Sequence, residues 1–329
     1  MEVHSFMTQQ TDLQKLGDAT KPYFDQFCAI MNPYRNDLWR YCLKITRSPW
    51  DAEDLFQDTY LKLFTSLSAL SHRQQPIHPK SFLFRVATNH WIDTCRKRKH
   101  APEEYMDEAY VGHVAAVDPF ELHEAFEKLL QYLPPRQIAA IVLIDAFRFT
   151  AAEAAEIIGT TEGAVTGLLF RARKKLRQMR DTGDPAKTLA MASANSDKHQ
   201  DIIQQYVSCF NQRDFNGIAQ LLADHAVFSF VAQGSQEYGR DTIMNASHHP
   251  KHYENQNLQA FTRELWGKQA VIFANVAPNS TPAQLNEVLS FEIENDKIIK
   301  ISGYYFCPEF MEAASLETDL PREPWNWAG

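Results

Sequence analysis

The pattern of apolar and polar positions divides the chain into three blocks. Apolar residues recur every three to four positions from about residue 21 to 98, and again from about 120 to 180, which predicts helices throughout both stretches. The third block, residues 197–306, begins with two short helical patterns and continues with strand-like runs. Helices followed by strands with a tight turn at Glu294-Asn295-Asp296 predict an α+β domain with an antiparallel sheet.

Polar segments separate these blocks. Residues 99–119 and 181–196 are rich in small, acidic and hydroxyl side chains and are expected to be linkers, while residues 307–329 form a C-terminal tail. In the third block, Asp214 is expected to cap the second short helix. The predicted strands span residues 226–231, 258–265, 269–276, 286–293 and 297–306.

Charge is distributed unevenly along the chain. The net charge is −8, and all of that excess lies in residues 196–329, where nine basic residues face 17 acidic ones. The remainder is neutral overall but contains two basic clusters, Arg96–Lys99 and Arg171–Arg180. Because local clusters matter more than total charge for phosphate contact, nucleic-acid binding stays compatible with the composition.

Composition excludes several classes of protein. No apolar run reaches the roughly 18–20 residues of a membrane span, and no secretory leader is visible, so a cytoplasmic protein with no membrane association is expected. The five cysteines are scattered and form no CxxC pair, which argues against a disulfide framework and against zinc. They are expected to be small buried hydrophobes. We expect no metal and no cofactor.

The second block contains the pattern of a helix-turn-helix. Thr150 and Glu153 form a T-x-x-E capping box, Gly159 ends a short helix over residues 151–158, and Thr160-Thr161 precede a second helix over about 162–179. This spacing is typical of DNA-binding helix-turn-helix units, and the second helix ends in a basic run suited to phosphate contact. Two packed helices with a solvated basic end are the alternative.

The first block contains two amphipathic helices with distinct polar faces. In PWDAEDLFQDTYLKLF, one face is apolar and the other carries Asp54, Gln57, Asp58 and Leu61. In SFLFRVATNHWIDTCRKRK, one side is lined by Leu83, Val86, Ala87, His90 and Trp91, and the other by Arg85, Asn89, Asp93 and Arg96. Taken alone, each polar face is compatible with simple solvation.

The order of these motifs resembles a known family. The stretch from PPRQ at residue 134 through FTAAEAAEIIGTTEGAVTGLLFRARKKLRQ resembles region 4 of extracytoplasmic-function (ECF) sigma factors of the sigma-70 family, which reads the −35 promoter element. The resemblance implies −35 contacts by Thr161, Glu162, Ala164, Thr166, Arg171, Arg173 and Lys174. The family commonly has Lys-Ser-Arg where this chain has Thr166-Gly167-Leu168, which implies weakened or altered −35 recognition.

The two helices of the first block resemble region 2 of the same family, in the same order. The resemblance implies that Asp54, Gln57, Asp58 and Leu61 contact core RNA polymerase. It also implies that Asn89, Asp93, Arg96 and Arg98 lie on the side that binds the −10 element. The segment 66–80 falls where the family captures a flipped base, and Trp91 is either a base-holding or a core residue.

The third block resembles SnoaL-like (polyketide-cyclase-like) domains of the nuclear-transport-factor-2 (NTF2) superfamily. That resemblance implies a cone-shaped domain with a curved antiparallel sheet and a pocket, attached to the sigma factor as its regulator. Acid–base chemistry would have to come from Asp224, His225, His248, His249 or His252, whose positions suit ordinary polar loops, so no catalytic residue is assigned. A small-molecule ligand in this domain stays open. The tail, with Trp325 and Trp327, is expected to dock on the sigma domains.

The sequence is compatible with three functions. The first is a sigma factor, not an enzyme, that binds core RNA polymerase and promoter DNA and is regulated by its fused C-terminal domain, whose acidity would hold the basic surfaces in check. The second is a ligand-sensing DNA-binding repressor. The third is a cyclase- or isomerase-like enzyme with a helical N-terminal part. The AEDLFQD helix discriminates between them, because only a sigma factor needs it.

Overall fold

A computed structural model describes residues 2–66, 78–100, 132–181, 196–232, 235–254, 256–277 and 281–322. Most of the linkers and of the 66–80 segment, together with Trp325 and Trp327, lie outside these ranges. The predicted docking of the tail on the sigma domains depends on these two tryptophans, and their positions are outside the described residues. Within the described residues, no helix is both long and apolar enough to cross a membrane.

Three long helices form the first block. They are α1 (Glu2–Thr46), α2 (Pro49–Thr65) and α3 (Pro79–His100). Helix α1 continues through Pro22 and Pro33, which the sequence pattern placed at the start of the block. Each proline removes one backbone hydrogen bond, and the apolar face beyond Pro33, with Leu38, Tyr41 and Ile45 fully buried, keeps the helix packed.

The second block is the predicted helix-turn-helix with one helix before it. Helix α4 (Pro135–Ile141) starts at the second proline of the pair and runs into a π-helical turn, Val142–Ala146. Helices α5 (Ala151–Ile158) and α6 (Glu162–Asp181) follow, with bounds close to those predicted. Their inner faces bury Ala154, Ile158 and Val165.

The third block is the predicted α+β domain. Helices α7 (Ser196–Asn211) and α8 (Phe215–Leu221) come first, and the side chain of Asp214 caps α8 by accepting a hydrogen bond from the Gly217 amide at 2.8 Å. A short helix α9 (Arg240–Asn245) and a 3-10 turn (Pro250–His252) lie between strands. Helix α10 (Pro308–Thr318) follows the last strand.

Six strands form one open sheet in the order β2-β1-β6-β5-β4-β3. The strands are β1 (Leu222–Phe230), β2 (Ser235–Tyr238), β3 (Leu258–Leu265), β4 (Lys268–Val276), β5 (Pro282–Glu294) and β6 (Lys297–Gly303). The β5–β6 turn has Asn295 and Asp296 in the left-handed region, as expected of a tight hairpin.

The predicted fold class is confirmed, with three refinements. The sheet is mixed, because β1 and β6 pair in parallel while the other neighbours pair antiparallel. A parallel pair arises here because the β1–β2 hairpin joins the β3–β6 meander through α9 and a long connection, which leaves strand direction unconstrained by a tight turn. Strand β2, exposed and polar, and helix α10, inside the predicted tail, were not predicted.

The two faces of the sheet are covered differently. Helices α7–α9 cover one face, where Tyr206, Phe210 and Phe273 are buried together. On the other side of the domain, Phe310 of α10 packs against Trp266 and Tyr304. The end of the described chain returns to β5, where Arg322 bridges Leu285. The sheet therefore has two separate apolar environments.

Contacts group the described residues into two compact units. The first holds α1 as far as Ile45, α2 from Leu55, α3, α4, α5 and the first half of α6. The second holds the C-terminal α+β domain, the part of α6 from Ala172 and the segment Thr46–Asp54. The start of α2 therefore belongs with the C-terminal domain rather than with the rest of its own helix.

Candidate functional site

Helix α2 carries the predicted acidic face on its outer side. Asp54 and Asp58 are exposed, Gln57 is half-buried, and Leu61 is 55% exposed. The opposite side of the helix is core, with Ala52, Leu55, Phe56 and Leu63 buried. Burial on one side fixes the helix, so the i, i+3, i+4, i+7 spacing presents the four predicted residues on one accessible stripe.

A histidine connects this stripe to the next helix. The Nε2 atom of His90 in α3 lies 2.8 Å from a carboxylate oxygen of Asp58, and Lys62 also hydrogen-bonds the His90 ring. The sequence pattern placed His90 on the inner side of α3, and it is half-buried. The Asp58 carboxylate is therefore held in a fixed orientation at the junction of α2 and α3.

Helix α3 exposes most of its predicted DNA-side residues. Asn89, Asp93 and Arg96 are exposed, and Arg96 pairs with Asp93 at 3.2 Å. Trp91 is only 8% exposed, which favours its core role over that of a base-holding residue. The side chain of Arg98 lies outside the described residues.

The helix-turn-helix is built as its capping signals predict. The Thr150 hydroxyl accepts from the Glu153 amide at 3.2 Å, and the Glu153 carboxylate accepts from the Thr150 amide at 2.7 Å. The Thr150 amide and hydroxyl both donate to the Glu153 carboxylate, and these two hydrogen bonds lower the pKa of Glu153. Gly159 ends α5 with φ 72°, the left-handed conformation that favours glycine.

Helix α6 and the residue before it expose the predicted −35 set with one exception. The exposed members are Thr161, Glu162, Thr166, Arg171, Arg173 and Lys174, whereas Ala164 is half-buried. Thr161 caps the helix through the Ala164 amide at 3.2 Å. Gly167 adds no side chain to this surface. A Cβ at residue 167 would lie 3.4 Å from the nearest guanidinium nitrogen of Arg171.

Within the first unit, α3 packs against the helix-turn-helix. Arg85 of α3 pairs with Glu156 of α5 at 3.7 Å, and the Phe84 ring meets Phe147 and Phe149 with centroids 5.3 Å and 5.1 Å apart. Tyr41 of α1 joins them by bonding Thr88 at 2.6 Å. The sequence pattern gave no sign of this contact, because each helix was assigned its apolar face without a partner.

Trp50, at the first turn of α2, sits in an aromatic cluster of the C-terminal domain. It is 3% exposed, and its ring lies 5.7 Å from Trp266, 5.1 Å from Tyr304 and 4.8 Å from Phe310. Its indole nitrogen donates to the Leu265 carbonyl at 3.1 Å. Sequence reasoning missed this contact. A tryptophan beside proline at a helix start was the available signal.

The candidate acid–base groups of the third block are mostly ordinary surface residues. Asp224 is exposed and pairs with Arg240 at 2.8 Å, and His225 and His252 are also exposed. His249 is half-buried and caps the Pro250–His252 turn. His248 alone is deeply buried, and burial lowers its pKa to about 4.

The sequence reasoning passed over one carboxyl group of the sheet. Glu287 is on β5, opposite Phe273, and burial raises its pKa to about 7. Its signal in the sequence was the alternation Leu285, Glu287, Leu289, in which a charged residue occupies an inward position.

Within the residues described, no three histidine, cysteine, aspartate or glutamate side chains gather as a metal site. Cys42 and Cys307 are buried as predicted, while Cys28, Cys95 and Cys209 are half-buried, and none of the five forms a disulfide.

Two family models match this chain. Sigma-70 region 2 matches residues 30–101, and sigma-70 region 4 matches residues 123–176. These spans contain α2 and α3 in the first case and the helix-turn-helix in the second. The order of the two regions is the one the sequence resemblance predicts.

Curated relatives are ECF sigma factors. The ECF RNA polymerase sigma factor SigG of Mycobacterium tuberculosis is 26% identical over 250 residues, which are 68% of this chain and 66% of that protein. SigJ of the same species is 27% identical over 61% of this chain and 63% of its own length. SigM of Bacillus subtilis is 29% identical over 47% of this chain and 94% of its own. The chain thus spans just under two thirds of SigG and SigJ.

Solved structures that match this chain have low TM-scores. The crystal structure of SigJ from Mycobacterium tuberculosis covers 84% of this chain and 95% of its own, with 19% identity and a TM-score of 0.32. An NTF-2 like protein from Burkholderia xenovorans covers 32% of this chain and 81% of its own, with 18% identity and a TM-score of 0.26.

The chain contains two helical regions, followed by a mixed six-stranded sheet with its helices. The first two carry the matches to regions 2 and 4, in the order found in sigma factors. The curated relatives of this part are ECF sigma factors. The chain therefore contains sigma-70 regions 2 and 4, is similar over that part to ECF sigma factors, and carries after them an α+β domain with a mixed six-stranded sheet.

Proposed function

We propose that the protein binds core RNA polymerase and directs it to promoters, and that its C-terminal domain regulates this activity. The observation that carries the proposal is the accessible stripe on α2, formed by Asp54, Gln57, Asp58 and Leu61. Two exposed carboxylates on the same stripe as an exposed leucine are complementary to a partner surface with basic and apolar groups. A repressor or an enzyme has no use for such a stripe.

DNA contact is assigned to two helices. Asn89, Asp93, Arg96 and Arg98 of α3 are proposed to lie along the −10 element. The −35 element is assigned to the exposed residues of α6, where Arg171, Arg173 and Lys174 supply phosphate contacts beside the groove. The absence of a cation at Thr166 supports weaker electrostatic attraction at −35 than in the usual pattern. Both sets act in the cytoplasm, where the polymerase is.

Regulation is assigned to the aromatic cluster around Trp50. Trp50 precedes Asp54 by one helical turn, so the C-terminal domain holds the start of the polymerase-binding helix. This contact consists of aromatic packing and one hydrogen bond between uncharged groups. It supports a mechanical restraint on α2 rather than the charge-based restraint that the acidic composition suggested. Releasing or keeping Trp50 would then change how α2 meets the polymerase.

The test is binding to cognate core RNA polymerase with charge reversal on the stripe. The double variant Asp54→Lys, Asp58→Lys should weaken binding at least tenfold, because two attractive charges become repulsive. The matched control is Asp201→Lys, an exposed carboxylate on α7 of the C-terminal domain. Failure of the wild-type chain to bind core polymerase, or equal binding by the double variant, would contradict the proposal.

A further inference from the structure

Asp58 and Lys62 lie one helical turn apart on α2, four residues from each other. At that spacing a carboxylate and an ammonium group share one side of a helix, and they commonly form a direct ion pair. Here they do not. Among the residues that the structure describes, the side-chain hydrogen bonds of both run to His90 of α3. The imidazole ring therefore separates a cation and an anion that would otherwise meet.

The two partners of His90 determine which of its ring nitrogens carries the proton. An ammonium group has only donors, so Lys62 donates to the Nδ1 atom, which then has no proton of its own. The proton of the neutral ring is on Nε2, and it is donated to the Asp58 carboxylate at 2.8 Å. Lys62, His90 and Asp58 thus form one directed chain of hydrogen bonds from cation to anion.

This arrangement orients Asp58 without cancelling its charge. A neutral N–H group holds one carboxylate oxygen, and the Asp58 side chain stays 56% exposed while that of His90 is 21% exposed. The other carboxylate oxygen accepts no hydrogen bond from the described residues. A direct pair with Lys62 would instead place an ammonium group against the carboxylate and draw it along the helix. The imidazole therefore keeps a full negative charge available on the stripe.

Buried residues beside His90 hold the ring in place. Ala87 and Trp91, its neighbours on the inner side of α3, are buried. On α2, Thr59 follows Asp58 and is buried, with its hydroxyl donating to the Leu55 carbonyl at 2.7 Å. The ring thus lies at the edge of a packed core, where water competes less for its hydrogen bonds than on an open surface.

We propose that His90 is a positioning residue for polymerase binding, which directs Asp58 outward and prevents Lys62 from pairing with it. The inference rests on the proposed function, because Asp58 is one of the four residues assigned to the polymerase. It adds a residue of α3 to the determinants of that contact, although the sequence pattern placed His90 on the inner side of its helix. His90 acts through Asp58 and not by its own contact with the polymerase.

The test is binding of the full chain to cognate core RNA polymerase, measured by fluorescence anisotropy. His90→Ala should weaken binding about fivefold, because Lys62 can then pair directly with Asp58. His90→Gln should recover most of the lost affinity, since its amide N–H can donate to Asp58 while its amide oxygen accepts from Lys62. The control is His225→Ala, an exposed histidine of the C-terminal domain, which should bind as wild type.

A second change, on α2, separates positioning from packing. Lys62→Met removes the ammonium group that competes for Asp58, so it should raise the affinity of His90→Ala roughly threefold. It should raise the affinity of the wild-type chain by clearly less, because His90 already keeps Lys62 away from Asp58 there. A purely structural role for His90 predicts the same factor in both backgrounds, since removing Lys62 restores no packing. Circular dichroism verifies that each variant is folded.

The outcomes distinguish this inference from the proposed function. Failure of the wild-type chain to bind core polymerase would overturn both. If the wild-type chain binds and charge reversal at Asp54 and Asp58 weakens binding, but His90→Ala binds as tightly as wild type, the function stands and the inference is wrong. Binding by His90→Gln as weak as by His90→Ala, or an equal effect of Lys62→Met in both backgrounds, would also overturn the inference.

Discussion

The indole nitrogen of Trp50 and the carbonyl oxygen of Leu265 are 3.1 Å apart, in a hydrogen bond between the first turn of α2 and the end of β3. The bond is buried, and Trp266, the next residue along the chain, packs against the same indole. A buried donor that finds its acceptor only in the C-terminal domain makes the position of this turn dependent on that domain.

Removing this contact should release α2. In the full chain, Trp50→Ala should strengthen binding to core polymerase roughly fivefold if about 1 kcal/mol of restraint is lost. Trp266→Ala should act in the same direction, and the double variant should add little, because both remove one contact. Fluorescence anisotropy with labelled protein would measure all four affinities. Weaker binding by Trp50→Ala with a neutral Trp266→Ala would instead make Trp50 a support for α2 alone.

A cation on the recognition helix should restore salt sensitivity. Thr166 is exposed on α6, so Thr166→Lys can add one phosphate contact and steepen the slope of log affinity against log salt by about 0.9. The measurement is promoter-fragment binding by the holoenzyme from low to moderate salt. The control is Thr242→Lys, an exposed threonine of the C-terminal domain. An unchanged slope in Thr166→Lys would place position 166 away from DNA.

The capping box should stabilise the helix-turn-helix measurably. Thr150→Ala removes the cap on the Glu153 amide and should cost about 1 kcal/mol in the free energy of unfolding of this region. Thr150→Ser keeps a hydroxyl and should cost little. Hydrogen exchange of the α5 amides reports the local effect. Equal exchange in the alanine and serine variants would show that the cap contributes nothing.

Glu287 and His248 should have opposite effects on stability as pH changes. Burial raises the pKa of Glu287 in the folded protein to about 7. Its contribution to the free energy of unfolding is therefore greatest below its pKa in the unfolded chain and is lost as pH rises towards 7. Burial lowers the pKa of His248 in the folded protein from 6.5 to about 4. Its contribution to the free energy of unfolding is therefore fully present above pH 6.5 and is lost as pH falls towards 4. The two slopes cancel between about pH 4.5 and 6.5.

Glu287→Gln should therefore uncover the slope of His248. Stability of the C-terminal domain should rise by about 1.4 kcal/mol per pH unit across that window in the variant, while the wild type stays nearly flat. Hydrogen exchange of β5 and β6 amides, in urea at pH 5 and pH 6, would measure it. A flat profile in both proteins would mean that the two groups do not titrate as their burial implies.

Packing of α3 on α5 should be incompatible with full promoter binding. The −10 and −35 elements lie about 25 base pairs apart, roughly 85 Å of B-DNA, so the helices assigned to them must separate. Arg85→Cys, Glu156→Cys joined by a short bis-maleimide should lose promoter binding but keep binding to core polymerase. Wild-type chain treated in the same way controls for the native cysteines, three of which are half-buried. Full promoter binding by the cross-linked protein would contradict the assignment.

Local signals made much of the fold predictable. Thr150, Glu153 and Gly159 fix the ends of α5 through hydrogen bonds within four residues, and Asp214 does the same for α8, so short sequence windows contain them. The amphipathic pattern of α2 likewise placed Asp54, Asp58 and Leu61 outside. These features depend on neighbours along the chain, which sequence reasoning can see.

Long-range relationships were not predictable in the same way. The contact of Trp50 with Leu265 joins residues 215 positions apart, and Glu287 became notable only when Gly303 and Phe228 were found beside it. Strand β2 was missed because it is short and exposed, so it carries no apolar alternation. Such features depend on which distant segments meet, and a single sequence does not specify that locally.

Gly303 and Tyr304 are consecutive, yet they belong to different environments. Gly303 borders the Glu287 carboxylate and the Phe228 ring, whereas the Tyr304 ring packs on Trp50 and its amide donates to the Val288 carbonyl, next to Glu287. One peptide bond therefore joins the packing on the two sides of the sheet. A displacement of this peptide would change the contacts of Glu287 and those of Trp50 at the same time.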